Sequence, residues 1–321
     1  MKRIIITDKD KLEKLIKEAG FGRSELARLL EVGYKTVYRW IDRGVTPQLK
    51  QSRAIDELFK EHIDLSQLVN QIGHKIADPI RILRQNTKLR EKFFLLMTYH
   101  SNAIEGSRMS IKETEEAIEG KKVRGKELFE VLEAVNHHNA LLYLLEQVKP
   151  KFSITEEYLL KLHSIVMYNF NNKLPGKYRT GYVNLTNTEK QLPAAQAVPA
   201  KMRAFIKQVN NYQGNTIQKI AHDHYEFESI HPFFDGNGRV GRLLLLTQLL
   251  GQGFPPAIIE LPDRYRYYWA LGKGDMGDFK NLVQMVCASV IKGYNLLFTR
   301  QIDERHGDVI IRDWLGRGCF L

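Results

Sequence analysis

The sequence predicts an all-α protein, in which a small helix-turn-helix domain precedes a larger helical core with one small β-hairpin. Apolar residues recur at helical spacing through most of the 321 residues. Near the N-terminus, two short amphipathic segments are joined by a tight turn, which is the pattern of a helix-turn-helix. Residues 173–200 differ, because Pro, Gly, Asn and Thr are frequent there and a short alternation around Tyr182 and Val183 indicates a hairpin.

Composition and charge restrict the class of protein. The formal net charge is +11 and the isoelectric point is near 9.4, which fits nucleic acid, nucleotides or acidic partners. The longest apolar run, LLLLTQLL, is far shorter than the ~20 residues of a membrane span, and the N-terminus lacks a secretory apolar core. Two cysteines, Cys287 and Cys319, make neither a disulfide framework nor a CxxC motif. We therefore expect a cytoplasmic protein with no membrane partner.

Residues 1–60 are expected to form the helix-turn-helix domain. The two helices lie in SELARLLEVG, with Ser24 as N-cap, and in YKTVYRWIDRG, which ends on Gly44. This stretch resembles the lambda-repressor-like helix-turn-helix, which implies that the second helix faces DNA. The candidate DNA-binding residues are Tyr34, Lys35, Thr36, Tyr38 and Arg39. Val37 and Trp40 are expected in the core, and the alternative role of the domain is to dock a protein.

The rest of the chain divides by composition into three parts. Residues 61–90 are expected to be a helical connector, residues 91–300 a mostly helical core, and residues 301–321 a tail whose role the sequence does not indicate. Within the core, a helix is expected to begin near Ser153, with Glu156 completing a capping box.

The segment HPFFDGNGRVGR carries the densest set of chemical groups. An apolar run follows it, so a helix is expected to begin near residues 239–240. Glycines at the N-terminus of a helix form an anion site, because free backbone N–H groups and the helix dipole attract negative charge. Gly236 and Gly238 would let a phosphate approach the backbone closely. Arg239 and Arg242 lie three residues apart and are able to bind the same polyphosphate.

Two further residues of this segment suit catalysis. Asp235, at the loop entrance, would hold Mg²⁺, which binds through one or two carboxylates plus phosphate oxygens. His231 is of the residue type whose ordinary pKa suits a general base near neutral pH. Taken singly, each residue has an ordinary structural explanation. Together, at this spacing, they indicate phosphoryl or nucleotidyl transfer.

The same segment matches the Fic-domain signature H-x-F-x-(D/E)-G-N-G-R-x-x-R at every defined position. The flanking segments AHDHYEFESIHPF, LHSIVMYN, PGKYRTG and RYRYYWAL extend the resemblance over about residues 90–300. The resemblance implies a Fic helical core with a hairpin flap, which transfers AMP from ATP to a Ser, Thr or Tyr hydroxyl of a protein. It implies that His231 is the base and that Asp235 binds Mg²⁺.

The resemblance also assigns roles to two larger sets of residues. The implied nucleotide-binding residues are Gly236, Asn237, Gly238, Arg239 and Arg242. The implied flap residues, which would dock the target protein, are Thr180, Gly181, Tyr182, Val183, Asn184 and Leu185. Tyr267 and Tyr268 are candidates for contacts with adenine. His222 and His224 are expected to be helix residues beside the site, because their spacing is not that of a zinc site.

Other functions stay open at this point. Fic relatives that phosphorylate carry Lys at the end of the GNG loop, whereas the intact Gly238 favours AMP transfer; phosphocholine transfer, another nucleotide or removal of AMP is not excluded. The competing class is a DNA-binding transcriptional regulator whose Fic core senses nucleotide, although a sensor would not need His231. The resemblance further implies that the protein is able to form a homodimer.

The segment SNAIEG, residues 101–106, predicts an internal inhibitor. Ser101 and Glu105 are four residues apart on a predicted helix, and Gly106 is its expected end. The segment resembles the inhibitory motif (S/T)-x-x-x-E-(G/N) of Fic proteins. The resemblance implies that Glu105 pairs with Arg242 and takes the place of the γ-phosphate.

Overall fold

The computed structural model describes residues 6–73, 78–170, 174–184 and 190–303. These residues form helices and irregular segments without a strand, so the prediction of an all-α fold is confirmed. The chain divides into two compact units, Met1–Leu68 with Ile291–Leu321, and Val69–Val290. The division after Leu68 falls within the expected connector, and the domain boundaries at 60, 90 and 300 stay predictions.

The first unit contains the candidate helix-turn-helix. Its helices are α1 Asp8–Lys17, α2 Arg23–Leu29, α3 Tyr34–Asp42, α4 Leu49–His62 and the first part of α5 Leu65–Gly73. Thr7 caps α1 in a capping box with Asp10, and α2 has Gly22 rather than Ser24 as its N-cap. Helix α3 buries Val37 and Trp40, as the apolar spacing predicted.

The second unit is a bundle built around one central helix. Its helices are α6 Pro79–Gln85, α7 Thr87–Ile104, α8 Ile111–Ile118, α9 Leu128–Gln147, α10 Glu156–Val166, α11 Val198–Val209, α12 Thr216–Ile230, α13 Asn237–Gly251, α14 Arg264–Gly274 and the first part of α15 Lys280–Asp303, with 3₁₀ turns at Ala195–Ala197 and Leu261–Asp263. Helix α13 is buried along nearly its whole length, which explains why its apolar run has no polar face. It packs against α7, α9, α10 and α12, so its N-terminus is fixed by four neighbours.

Two predicted helix starts are wrong by two residues. Helix α10 begins at Glu156 because Thr155, not Ser153, accepts the capping hydrogen bond, from the backbone N–H of Tyr158. Helix α13 begins at Asn237 instead of near residue 239, because Gly236 takes the left-handed conformation just before it.

The expected hairpin is not formed by the residues that the structure describes. Residues 180–184 and 190–194 are irregular, and Leu185 lies outside the described ranges, so the hairpin stays a prediction. Residues 304–321, most of the expected tail, also lie outside them. Among the helices of the described ranges, none has both the length and the apolar character to cross a membrane.

Candidate active site

The loop between α12 and α13 is bracketed by two left-handed residues. His231 ends α12 with φ of 49°, and Gly236 precedes α13 with φ of 77°. A non-glycine residue in this conformation costs roughly 1–2 kcal/mol, so its surroundings must hold it in place. The His231 N–H donates to the Phe227 carbonyl (3.0 Å), and the His231 carbonyl accepts from Nε of Arg179 (2.8 Å).

Asn237 fixes the shape of this loop from inside. Its Oδ1 accepts from the Phe233 N–H and its Nδ2 donates to the Phe233 carbonyl, each at 2.9 Å. The side chain is therefore used within the protein, and only the backbone N–H of Asn237 is available to an anion. The N–H of Val240 already bonds the Gly236 carbonyl (3.0 Å), which leaves the three preceding N–H groups of α13 without an acceptor in their own helix.

Arg242 is buried and held by the end of α7. Its Nε donates to Oγ of Ser101 (2.9 Å), and its Nη2 donates to the Ser101 carbonyl (2.8 Å) and to Oε1 of Glu105 (2.7 Å). Gly106 then ends the helix with φ of 109°. Burial alone would lower the pKa of Arg242, but the negative charge of Glu105 raises it, so the guanidinium stays charged. The structure thus brings together the residues that SNAIEG and the signature predicted.

The Glu105 carboxylate lies directly over Gly238. A Cβ atom built on Gly238 would collide with Oε1 of Glu105 and would lie 3.1 Å from Nη1 of Arg242. The carboxylate therefore occupies the space above the N-terminus of α13 that is open because residue 238 is glycine. The Glu105 side chain is 32% exposed, whereas Arg242 is almost completely buried.

Arg239 points to a different pair of carboxylates. Its Nη1 donates to Oε1 of Glu133 (3.0 Å) and its Nη2 to Oδ1 of Asp235 (3.3 Å). Each of the two guanidiniums has its own anionic partner, and the expectation that Arg239 and Arg242 bind one polyphosphate stays a prediction. Burial raises the pKa of Glu133, and the charge of Arg239 opposes this shift. Nothing in the sequence singled out Glu133.

Asp235 has the properties of a single-carboxylate magnesium ligand. Its side chain is 60% exposed, and Oδ1 faces the Gly236 N–H (2.5 Å) and Arg239. Among the described residues, no three His, Cys, Asp or Glu side chains are grouped to hold a metal ion. One partly exposed carboxylate fits the needs of Mg²⁺, which keeps several waters and binds through one or two carboxylates plus phosphate oxygens.

The His231 imidazole is neutral at pH 7. Burial has the largest effect and lowers its pKa to about 4; the charge of Arg179 acts in the same direction, whereas a hydrogen bond to the Glu228 backbone and the charges of Glu105 and Asp235 oppose the shift. The Nδ1 atom is buried. A neutral imidazole is able to accept a proton.

His163 supports the loop from the opposite side. Its ring stacks on Phe233 with centroids 3.7 Å apart and planes 4° from parallel. Nδ1 accepts from the Gly176 N–H (3.0 Å), so Nε2 carries the proton and donates to the Asp235 carbonyl (3.1 Å). Burial lowers the pKa of His163 to about 4. The stretches LHSIVMYN and PGKYRTG contain His163 and Gly176, but the sequence did not reveal that these two residues form a hydrogen bond.

A second buried network supports Arg242. His224 Nδ1 lies 3.2 Å from the Gly241 carbonyl and must donate to it, so Nε2 accepts from the Tyr267 hydroxyl (2.8 Å). Tyr267 is completely buried in this network, which makes it a core residue and not a contact for adenine. Tyr268 donates to the Ile104 carbonyl (3.2 Å) and so ties α14 to the end of α7.

Glu228 is another residue that the signature did not single out. Its carboxylate fills the space beside Gly241, where a Cβ atom would collide with it. Burial raises the pKa of Glu228 to about 8; Arg242 opposes the shift and Glu105 adds to it. Gly241 is thus required for packing, because α12 and α13 meet there through a carboxyl group.

A comparison with known protein families decides what this unit is. Residues 153–249 match the Fic/DOC family. The chain carries a Fic domain.

Two curated proteins that are similar to this chain support the same family. The chain is 31% identical over 258 residues to the protein adenylyltransferase Fic of Nematostella vectensis, covering 76% of this chain and 60% of that protein. It is 29% identical over 248 residues to the protein adenylyltransferase Fic of Drosophila persimilis, covering 76% of this chain and 47% of that protein. The chain therefore spans only about half to three-fifths of the length of these curated relatives.

The fold of the Fic domain agrees with a solved structure. A Fic-domain-containing signalling protein from Bacteroides thetaiotaomicron superposes with a TM-score of 0.65 at 20% identity. The match covers 78% of this chain and 100% of that one. At this identity the likeness concerns the fold alone.

The described part of the predicted flap begins beside the loop between α12 and α13. A Cβ atom on Gly181 would lie 3.4 Å from the Phe234 ring, so this part of the chain passes close to Phe234. Tyr182 is 72% exposed, and residues 180–184 have no regular structure. Thr180, Val183 and Asn184 lie in the same exposed or half-exposed stretch.

Proposed function

We propose that the Fic domain transfers AMP from ATP to the hydroxyl group of a Ser, Thr or Tyr side chain of a protein. The observation that carries the proposal is the placement of a neutral, half-buried His231 one loop before the N-terminus of α13, with the buried cation of Arg242 one turn further along. A polyphosphate is favoured at such a helix end. The named relatives above are protein adenylyltransferases, which supports the same chemistry.

The proposed reaction uses His231 as general base. Nε2 takes the proton of the target hydroxyl as its oxygen attacks the α-phosphorus of ATP. The bond from the α-phosphorus to the bridging oxygen breaks, and pyrophosphate leaves with the electron pair. The N–H groups of Asn237, Gly238 and Arg239 would stabilise the phosphate oxygens. Because a pKa of about 4 makes a weak base, the negative charge of bound nucleotide is expected to raise the pKa of His231.

Asp235 would hold Mg²⁺ against the phosphates. The ion would neutralise part of the phosphate charge and fix the orientation of the phosphate chain of ATP. The partly exposed carboxylate and its bond to Arg239 support this assignment. Arg239 would then exchange Asp235 for a phosphate while keeping Glu133.

We propose that Glu105 inhibits this reaction. Its carboxylate pairs with Arg242 and covers Gly238, so it would compete with a phosphate for both. ATP that bound alongside it would have its phosphates displaced from the attacking hydroxyl. Misplacement of this kind by about 1 Å costs on the order of 100-fold in rate.

Transfer is tested by the position of the label and by the base. In a lysate with Mg²⁺, we expect the Glu105→Gly variant to attach label from α-labelled ATP to protein, and not from γ-labelled ATP. The additional change His231→Ala should abolish labelling while ATP still binds. Label from γ-labelled ATP would indicate a kinase instead. Unchanged labelling without His231 would refute the proposed base.

Two other activities of the same site have their own tests. A sensor of nucleotide would bind ATP and never attach label to protein, in any of the variants above. Removal of AMP, with Glu105 assisting, would be seen as loss of label from a modified protein. That role of Glu105 is refuted if Glu105→Ala removes the label as fast as the wild type.

The exposed face of α3 favours a second function, DNA binding by the first unit. Tyr34, Lys35, Tyr38 and Arg39 are exposed on α3, with Thr36 half-buried beside them. The guanidiniums of Arg23 and Arg43 each lie 6.0 Å from the Tyr38 ring centroid, and Arg23 also pairs with Asp42, so two basic side chains lie beside this face. Basic and aromatic side chains on the second helix suit phosphate and base contacts.

A salt titration of DNA affinity tests this function. The change Lys35→Ala with Arg39→Ala should lower affinity and reduce the slope of log K against log salt by roughly two, one for each lost phosphate contact. The matched control is Lys9→Ala with Lys14→Ala on α1, which removes the same amount of positive charge. Each of these lysines pairs with the glutamate four residues further along the chain. Equal losses in both variants would mean that α3 has no special role.

A further inference from the structure

Arg179 joins three parts of the active site through one guanidinium. Its Nε donates to the His231 carbonyl (2.8 Å), its Nη1 to the Gly181 carbonyl (3.1 Å) and its Nη2 to the Pro193 carbonyl (2.6 Å). Its own N–H donates to the Pro232 carbonyl (2.8 Å). The residue is 2% exposed, although it stands at the start of an otherwise exposed segment.

The three carbonyls belong to places that must keep a fixed relation during transfer. Gly181 lies in the predicted flap, and Pro193 lies in the later part of residues 173–200, the segment in which the hairpin is predicted. His231 is the proposed base, and its left-handed backbone needs support. A carbonyl at the C-terminal end of a helix finds no N–H donor within that helix. When such a carbonyl is buried, it needs a donor from elsewhere in the protein. Arg179 supplies that donor and anchors both ends of the flap with the same group.

The chemistry of the contact requires arginine. The planar guanidinium presents its donors in a rigid fork, whereas lysine offers one compact ammonium group on a flexible stem. All three acceptors are neutral carbonyls, and none of the ion pairs within the described ranges includes Arg179. A buried cation without a carboxylate partner is costly to keep, so the arrangement points to a role beyond stability.

We propose that Arg179 is a positioning residue that sets the distance between the flap-bound target and His231. This inference rests on the proposed AMP transfer. Within the described ranges, the side-chain hydrogen bonds of Arg179 go to the carbonyls of His231, Gly181 and Pro193 and not to α13 or Arg242, so we expect its loss to change the approach of the hydroxyl and to leave nucleotide binding as it was. A displacement of about 1 Å between hydroxyl and base lowers the rate on the order of 100-fold.

The test compares variants in the Glu105→Gly background, with lysate protein as acceptor and α-labelled ATP. The labelling rate is divided by the number of ATP-binding sites, counted by ATP titration, so that unfolded protein does not enter the comparison. Arg179→Met should lower the maximal rate per site by roughly 100-fold and leave the KM for ATP within two-fold. Arg179→Lys keeps the charge but cannot reach three carbonyls, so it should lower the rate by roughly ten-fold.

Arg84 provides a matched control in the same unit. Its guanidinium also donates only to carbonyls in its recorded contacts, those of Leu145, Glu146 and Val148 at the end of α9. Arg84→Met should leave the rate per site within two-fold, even if the protein melts at a lower temperature. Equal loss in the Arg84 and Arg179 variants would reduce the role of Arg179 to stability.

The outcomes separate this inference from the function on which it rests. If the Glu105→Gly parent attaches no label, the proposed transfer fails and the role of Arg179 fails with it. If the parent attaches label and both Arg179 variants do so at the parent rate per site, only the inference is overturned. A parallel loss of ATP affinity in Arg179→Lys would also overturn it, because the defect would then lie in nucleotide binding.

Discussion

The two sides of the catalytic loop are held in opposite ways. On the flap side, Arg179 and His163 bind backbone groups, and both side chains are buried. On the other side, Glu105 reaches Arg242 with a partly exposed carboxylate. No ligand would replace the backbone groups that Arg179 and His163 bind. The carboxylate of Glu105, by contrast, would be replaced at Arg242 by another anion of similar shape. The flap side is therefore a fixed support, and the Glu105 side is an exchangeable contact.

The exchange follows from the burial of Arg242. A buried guanidinium without an anion is costly, so an anion beside Arg242 is favoured in each state of the site. Glu105 provides that anion in the resting protein, and a phosphate would provide it when nucleotide binds. We expect this competition to need no large movement, because Glu105 is the C-cap residue directly after α7 and the chain turns away at Gly106.

The largest effect is expected from filling the space above α13. In the Glu105→Gly background, Gly238→Ala should lower transfer by on the order of 100-fold, because its Cβ would stand where the carboxylate lies now and where a phosphate must approach. Initial rates of label attachment measure this. The control is Gly272→Ala in α14, where an added Cβ meets nothing within 4 Å. An active Gly238→Ala variant would show that the phosphates do not use this space.

The next effect separates charge from shape in the exchangeable contact. Glu105→Gln keeps a hydrogen-bond acceptor for Arg242 and removes the negative charge, so roughly half of the interaction should remain. Transfer should rise by roughly ten-fold over wild type and stay below that of Glu105→Gly. If the two variants have equal rates, the charge of Glu105 alone explains the inhibition and its hydrogen bond contributes nothing.

A pH-dependent effect is expected on the flap side. The pKa of His163 is about 4 in the folded protein and near 6.5 when unfolded, so between these values the unfolded chain binds the extra proton. The stabilisation by neutral His163 is complete above pH 6.5 and is lost as the pH falls towards 4. The Tm deficit of His163→Gln relative to wild type should therefore be several degrees at pH 7.5 and smaller at pH 4.5. A deficit that does not change with pH would contradict this account.

The smallest effect is expected at Ser101. The change Ser101→Ala removes the Oγ that accepts from Nε of Arg242, but the Ser101 carbonyl still binds Nη2. The lost bond has a charged donor, but the other bonds of the guanidinium remain, so the inhibited arrangement should weaken only in part and transfer should rise by about two- to five-fold. A fall in the transfer rate would mean that Ser101 orients Arg242 for catalysis instead.

The sequence predicted the parts of the site that lie close together along the chain. The spacing of HPFFDGNGRVGR places a loop before a helix, and SNAIEG places Glu105 at a helix end, where the structure has it. The all-α fold followed from helical periodicity. Leu185 and the tail lie beyond what the structure describes, so the hairpin flap and the tail stay untested.

Other features of the site could not be predicted, for a physical reason. Arg179 and His163 bind backbone groups, and every residue offers a carbonyl, so such contacts leave no pattern in the residue types. Asn237 stays a predicted nucleotide-binding residue through its backbone N–H, and the sequence did not show that its side chain bonds Phe233. Glu133 pairs with Arg239 across 106 residues, a separation over which one sequence gives no signal.

The central claim is that Glu105 restrains an active AMP transferase. The most direct measurement is the rate of label attachment from α-labelled ATP by wild type, Glu105→Gly, and Glu105→Gly with His231→Ala. Glu119→Gly serves as the control, since Glu119 also ends a helix just before a left-handed glycine but pairs only with Lys121 among the recorded ion pairs. We expect a rise of 10- to 1000-fold for Glu105→Gly, none for Glu119→Gly, and no label for the double variant. Equal rates in wild type and Glu105→Gly would contradict the account.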